Sequence, residues 1–244
     1  VPSTALPLDE VDLGPGVRAG FTRADGGFDL STTLGADLAD VAARRSALAQ
    51  WLGAPVAFAW QVHGDQVLEC GGRLPPPAPE VVGVADALVT VEEGVALGVL
   101  VADCVPVLLA DPRARIVATV HAGRRGLVAG VVQRALDAMC ARGAVPGDVR
   151  AVVGPAACGR CYEVPPEMRQ EVADVVPGTW ATTRTGTAAL DLPGGVARVL
   201  VSAGVAAVTR TTACTIEDAS WFSHRAAAGG HPAGRFAGVV RLLP

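Results

Sequence analysis

Four apolar segments follow one another across the middle of the chain, separated only by short turns: Ala87–Val91, Ala96–Val101, Val105–Ala110 and Ile116–Val120. Each is short, rich in Val, Leu and Ala, and interrupted before it could become a helix of ordinary length, so each reads as a strand of the buried type. The rest of the chain must cover them. Amphipathic segments that predict helices run from Leu38 to Leu52, stopped by Gly53 and Pro55, and from about Leu127 to Arg142, with Gly143 at the expected C-cap. Pro165-Pro166-Glu167 predicts a further helix start, and Leu190 to Gly204 another helix. Val56 to Val67 reads as a strand, a turn at His63-Gly64-Asp65 and a second strand. Val149–Val153, Ala206–Arg210 and Phe236–Leu242 complete the strands. Gly71–Pro79, with four prolines, and Ala226–Gly234 read as loops. No linker breaks the pattern, so residues 1–244 are read as one mixed α and β unit.

Composition supports a large core and excludes several function classes. Half of the 244 residues are hydrophobic and 18% are charged, so no disulfide staples are needed. A net charge of −4 is no footprint for nucleic acid or an anionic membrane. All 20 basic residues are Arg. Without Lys there is no Schiff base, no pyridoxal anchor and no phosphate-loop lysine, so any phosphate must be held by Arg or by backbone N–H groups. Without Asn there is no N-glycosylation site. Apolar runs fall well short of the ~20 residues of a membrane span. The start, Val1-Pro2-Ser3, lacks signal-peptide character, and six Cys are too few for a disulfide framework in a chain of this length. A cytoplasmic protein with free thiols is expected.

The scarce side chains sit at strand ends. His63 follows a strand in Gln61-Val62-His63-Gly64, Cys104 lies between two apolar strands in Ala102-Asp103-Cys104-Val105-Pro106, and His121 closes the strand before Ala122-Gly123. Two imidazoles and a thiolate form a donor set suited to Zn²⁺ with one position left for water or substrate. The competing readings are a buried Cys104 with hydrogen-bonded loop histidines, or a metal-free Cys104 nucleophile with His121 or His63 as its base. Asp103 beside the thiol would oppose the metal-free version by disfavouring a thiolate, whereas a metal would deprotonate the thiol outright. Gly123-Arg124-Arg125-Gly126 opens a helix, which suits either an anion held by N–H groups and guanidinium or a plain turn with solvated arginines. The pair Cys158 and Cys161 is a weak redox or metal signal, since no second Cys-x-x-Cys exists.

Taken in order, Gln61-Val62-His63-Gly64, Ala85-Asp86-Ala87-Leu88-Val89-Thr90, Ala102-Asp103-Cys104-Val105-Pro106, Val120-His121-Ala122-Gly123, Gly154-Pro155 through Tyr162-Glu163-Val164 and Gly234-Arg235 resemble the laccase-domain family. Its members, once called multicopper polyphenol oxidoreductases, are described as purine nucleoside phosphorylases that also deaminate adenosine. The resemblance runs from about Phe21 to the C-terminus. It implies a single-domain, four-layer α/β/β/α sandwich of the α+β class with mixed sheets, and a zinc site at His63, Cys104 and His121. It also implies phosphorolysis of adenosine, inosine, guanosine and methylthioadenosine, with phosphate and nucleoside as partners. Arg45 falls on the Arg of an Asn-Arg pair in an early helix, and the resemblance implies it alone as a substrate or phosphate contact; Arg125 and Gly123 are further expected contacts from the helix-opening turn. Arg44, Arg124 and His224 depart from the pattern, which bears on substrate choice more than on metal binding. Some relatives resemble peptidoglycan editing factors, so hydrolysis of a muropeptide precursor by the same metal site is the alternative. Copper oxidase chemistry ranks behind both: four His cannot build a mononuclear and a trinuclear centre, and the only Met residues, Met139 and Met168, lie away from the ligand segments.

Overall fold

The computed structural model describes residues 6–32, 35, 37–72 and 81–244. Most of the proline-rich stretch expected as a loop, and the first residues that bore on a signal peptide, lie outside them. The strands are Leu8–Glu10 (β1), Val17–Thr22 (β2), Val56–Ala57 (β3), Val67–Glu69 (β4), Ala87–Thr90 (β5), Ala96–Val101 (β6), Val105–Asp111 (β7), Ile116–Ala122 (β8), Arg150–Val153 (β9), Trp180–Thr182 (β10), Ala188–Leu190 (β11), Ala207–Arg210 (β12) and Phe236–Leu242 (β13). The helices are Leu38–Leu52 (α1), Arg124–Ala129 (α2), Val131–Ala141 (α3), Pro166–Val175 (α4), Leu192–Ser202 (α5) and His224–Ala227 (α6).

Two mixed sheets form, in the orders β1-β2-β13-β6-β3 and β12-β9-β7-β8-β5-β4, with β10-β11 as a separate antiparallel pair. Period-two alternation sorts their side chains between layers. On β7, Leu108 and Ala110 face the first sheet, where they meet Phe21, Val99 and Val240. Val105, Val107 and Leu109 face the other way, onto Leu127, Val132, Leu136 and Val196 from α2, α3 and α5. On β13, Phe236 and Val240 point between the sheets, while Ala237 and Val239 pack against Leu48 and Leu52 of α1. These three apolar clusters are the seams of a four-layer α/β/β/α sandwich. Strands buried on both faces explain why Val105–Asp111 and Ile116–Ala122 are apolar almost without a break.

Several local expectations are corrected. Leu127 to Arg142 is not one helix: Gly130 takes φ 91° and donates its N–H to the Gly126 and Leu127 carbonyls, ending α2 before α3 begins. Leu190 belongs to a strand, and the following helix starts at Leu192 with the Asp191 side chain accepting from the Gly194 N–H. The first residues of the expected Ala226–Gly234 loop end the short helix α6. The span from Val56 to Val67 crosses between layers, because β3 lies in the first sheet and β4 in the second. No helix among the described residues is long and apolar enough to cross a membrane.

Candidate metal centre

Strand register assembles the site at one end of the six-stranded sheet. In the β7–β8 pair, Val105 lies opposite Ala122, so Cys104 just before β7 meets Gly123 just after β8. In the β5–β8 pair, Ala87 lies opposite Val120, which brings Asp86 beside His121; the His121 N–H donates to the Asp86 carbonyl at 2.7 Å. The crossing segment delivers His63. Gln61 ties that segment to β6, donating to the Leu100 carbonyl at 2.7 Å and accepting from the Leu100 N–H at 2.9 Å. The donor atoms of His63, Cys104 and His121 all lie within 4.8 Å of one another. The His63 and His121 rings meet edge to face with centroids 4.7 Å apart, and His63 Nε2 lies 3.7 Å from Cys104 Sγ. His121 is buried, Cys104 half-buried and His63 exposed, so the cluster opens to the surface at His63. The concavities lined by Cys70, Thr90 and Arg142, and by Ala49, Gly53 and Pro55, do not include these three residues.

A residue that sequence reasoning passed over, Asp86, organises the cluster. Its Oδ1 lies 2.7 Å from His121 Nδ1, and its two oxygens accept from the backbone N–H groups of Val62, His63 and Gly64 at 3.2, 2.9 and 2.7 Å. Three successive N–H groups aimed at one anion form a nest, and His63 adopts φ 60° within it. Because Asp86 holds Nδ1, His121 presents Nε2 to the cluster, the carboxylate–histidine arrangement found behind metal ligands. Its sequence signals were a carboxylate at the mouth of a buried-type strand and a place in the Ala85–Thr90 motif of the resemblance, neither of which gives it a role.

The protonation states follow from these contacts. Burial pushes the Cys104 thiol up, but hydrogen bonds and charge from His121 and His63 outweigh it and bring the thiol down to about 6. Burial opposes a charged His121, yet the bonds to Asp86 and Cys104 raise it to about 9. Burial also opposes an ionised Asp86; the bonds from His121, Gly64 and Val62 prevail and lower it. The expected penalty from Asp103 is corrected. Its backbone takes φ 83°, turning the carboxylate to accept from Thr215 Oγ1, Ser223 Oγ and the Arg225 N–H, each at 2.7 Å. Asp103 therefore braces the 215–225 segment and leaves the thiolate to the two imidazoles.

Residues 17–243 match the family model described as multi-copper polyphenol oxidoreductase laccase. The chain belongs to this family. Among curated relatives, the purine nucleoside phosphorylase ORF3 of Streptomyces griseus is 48% identical over 89% of the chain and 87% of its own length. The purine nucleoside phosphorylase SCO2081 of Streptomyces coelicolor is 46% identical over 96% of the chain and 99% of its own length. The adenosine deaminase RL5, from an unknown prokaryotic organism, is 38% identical over 64% of the chain and 62% of its own length. Among solved structures, the hypothetical protein YfiH of Bacillus licheniformis superposes with a TM-score of 0.88 at 27% identity, covering 98% of the chain and 97% of the other.

The remaining candidate residues, Gly123, Arg125 and Arg45, fall into two places. Gly123 adjoins the cluster: a Cβ there would lie 2.7 Å from His63 Cδ2 and 3.1 Å from Cys104 Sγ. One turn on, a Cβ at Gly126 would lie 2.6 Å from the Gly64 carbonyl oxygen, so the first turn of α2 can close on the His63 loop only through these two glycines. Arg125, on that same turn, is exposed. Arg45 lies on the buried face of α1 and is only 2% exposed. Its Nε and Nη2 donate to the Leu30 carbonyl at 3.2 and 2.9 Å, its guanidinium lies 4.5 Å from the Phe58 ring centre, and burial lowers it to about 10 against the pull of Asp29.

Proposed function

We propose that the chain is a metal-dependent purine nucleoside phosphorylase that also deaminates adenosine, acting at His63, Cys104 and His121. The observation that carries this reading is the convergence of two imidazoles and one thiolate backed by Asp86. The names of its relatives supply the substrate class. The three donors suit Zn²⁺: the set is borderline-soft, the thiol ionises readily, and one imidazole is already oriented by a carboxylate. A divalent ion held there would supply Lewis acidity and lower the pKa of water.

The protein's own groups account for the rest. Asp86 keeps His121 in the Nδ1–H tautomer and fixes the His63 turn, so the donors are placed before substrate arrives. Arg125, exposed beside Gly123, offsets the charge of phosphate approaching the anomeric carbon while the base departs. Arg45 acts from below, holding the Leu30 carbonyl next to Asp29, whose Oδ1 accepts from the Arg235 N–H at 2.8 Å. The copper chemistry in the family's description meets a shortage of imidazoles. Two of the four histidines are in the cluster, His224 begins α6, and His231 follows it.

The test is incubation of zinc-replete protein with adenosine, with and without phosphate, and separation of the products. Free base and ribose 1-phosphate are expected only with phosphate, and inosine without it. Untouched nucleoside under both conditions would overturn the reading.

A further inference from the structure

A second set of donors lies apart from the His63 cluster and is not used by the proposed reaction. The donor atoms of Cys158, Cys161, Cys214 and Glu217 all lie within 4.8 Å of one another. We propose that these four residues form a structural site for a borderline divalent cation, Zn²⁺ first.

The sequence hides this site because its two halves stand more than fifty residues apart and only one is a Cys-x-x-Cys. The other is Cys214-Thr215-Ile216-Glu217, the same spacing with a carboxylate in the last place. The two halves fold alike. After Cys158, the N–H groups of Cys161 and Tyr162 both donate to its carbonyl, each at 2.9 Å. After Cys214, the N–H groups of Glu217 and Asp218 donate to its carbonyl at 3.1 and 3.0 Å. Burial opposes ionisation of Cys158 and Cys214, and the backbone N–H two residues on, from Arg160 or Ile216, works against that burial effect in each turn. The Cys158 N–H adds a contact to Cys214 Sγ at 3.4 Å. Such N–H groups stabilise thiolates, and two equivalent turns facing each other are how paired loops present four ligands to one ion. A parallel bridge between Ala156 and Cys214 holds the turns together.

Dimensions and charge agree. Tetrahedral coordination at a metal–sulfur distance of about 2.3 Å separates sulfurs by about 3.8 Å, so donors within 4.8 Å need only a small contraction. Three thiolates and a carboxylate around a divalent ion leave an excess of two negative charges. Arg184, from the β10–β11 turn, already faces that side: its Nη1 lies 3.2 Å from Cys161 Sγ and it pairs with Glu217. Cys214 is buried and Glu217 exposed, so the ion would sit at the rim with a path for entry. The clip would join the 158–163 turn to the segment whose Thr215 and Ser223 hold Asp103, next to Cys104.

The experiment is metal analysis of protein expressed with zinc and dialysed, comparing wild type with Cys104→Ala and with the double variant Cys158→Ser/Cys161→Ser. Each variant is checked for folding by circular dichroism. Two zinc ions per chain are expected in the wild type and one in each variant. In a second readout, Co²⁺ replaces zinc and the thiolate-to-metal absorption is followed in wild type and in Cys214→Ser, where a clear fall is expected. A folded Cys104→Ala protein with no metal would overturn the proposal. So would a cobalt spectrum unchanged by Cys214→Ser, or a disulfide within this set in protein isolated under reducing conditions.

Discussion

One oxygen of Asp86 lies 2.7 Å from Nδ1 of His121, and the same oxygen is 2.9 Å from the backbone nitrogen of His63. A single buried carboxylate therefore sets the ring orientation of one donor and the backbone of another. Asp86→Asn keeps the shape and removes the charge. Metal affinity, read by competition with a chromophoric chelator, should fall roughly 10–100-fold. Unchanged affinity would remove Asp86 from the metal centre.

The metal-free protein should show a thiol that ionises near pH 6, visible as thiolate absorbance lost in Cys104→Ala. The sign for stability follows. Cys104 is lowered on folding, so its contribution is complete above the ordinary thiol value of 9.0 and disappears as pH falls through about 6. His121 is raised, so its contribution is complete below 6.5 and disappears as pH rises through about 9. Thermal unfolding of metal-free protein should give a Tm plateau between these limits, and Cys104→Ala should lose its acid-side decline. A flat profile through pH 6 in the wild type would contradict the imidazole–thiolate pair.

Gly126→Ala and Gly123→Ala should fail differently. At Gly126 the added carbon meets a backbone oxygen, Gly64 O at 2.6 Å, so the His63 loop and the first turn of α2 must part. A loss of about 1–3 kcal/mol in urea unfolding is expected, the usual range for overpacking. At Gly123 the added carbon meets the His63 ring and Cys104 Sγ, so the metal-to-protein ratio should drop more than stability does. Equal effects on both readouts would argue against this division.

Arg45 and Arg125 should separate stability from phosphate use. Arg45→Met removes the donors to Leu30 from a buried position and should cost about 2–3 kcal/mol in unfolding free energy. Arg125→Ala, at an exposed position, should leave the urea midpoint unchanged while raising KM for phosphate severalfold. A phosphate KM unmoved by Arg125→Ala would place the anion elsewhere.

The legible parts of the fold were those where side-chain type alone decides. The strands from Ala87 to Val120 are apolar because both their faces are covered, and α1 ends at Gly53 in the left-handed conformation the residue suggested. Short elements were less legible. β1, β10 and β11 span three residues each, too few for a period to show, and Leu190 could extend either a strand or a helix until Asp191 capped the turn. At the site, His63, Cys104 and His121 stood out as rare side chains at strand ends. Asp86 did not, because what marks it is the set of N–H groups around it, and those come from a different sheet crossing. Cys214 and Glu217 were silent for the same reason: the parallel pairing of β9 with β12 and the bridge from Ala156 that follows it bring them to Cys158 and Cys161.

β13 pairs with β2 on one side and β6 on the other, so the last strand among the described residues occupies the middle of its sheet. During synthesis β2 and β6 must wait, with exposed edges, for a segment more than a hundred residues downstream of β6. Folding is thereby dominated by long-range closure, a slow and aggregation-exposed regime. A chain without Phe236–Leu242 would leave β2 and β6 with no shared partner and separate the two halves of that sheet, so a nascent chain stalled before Phe236 would be a substrate for chaperones.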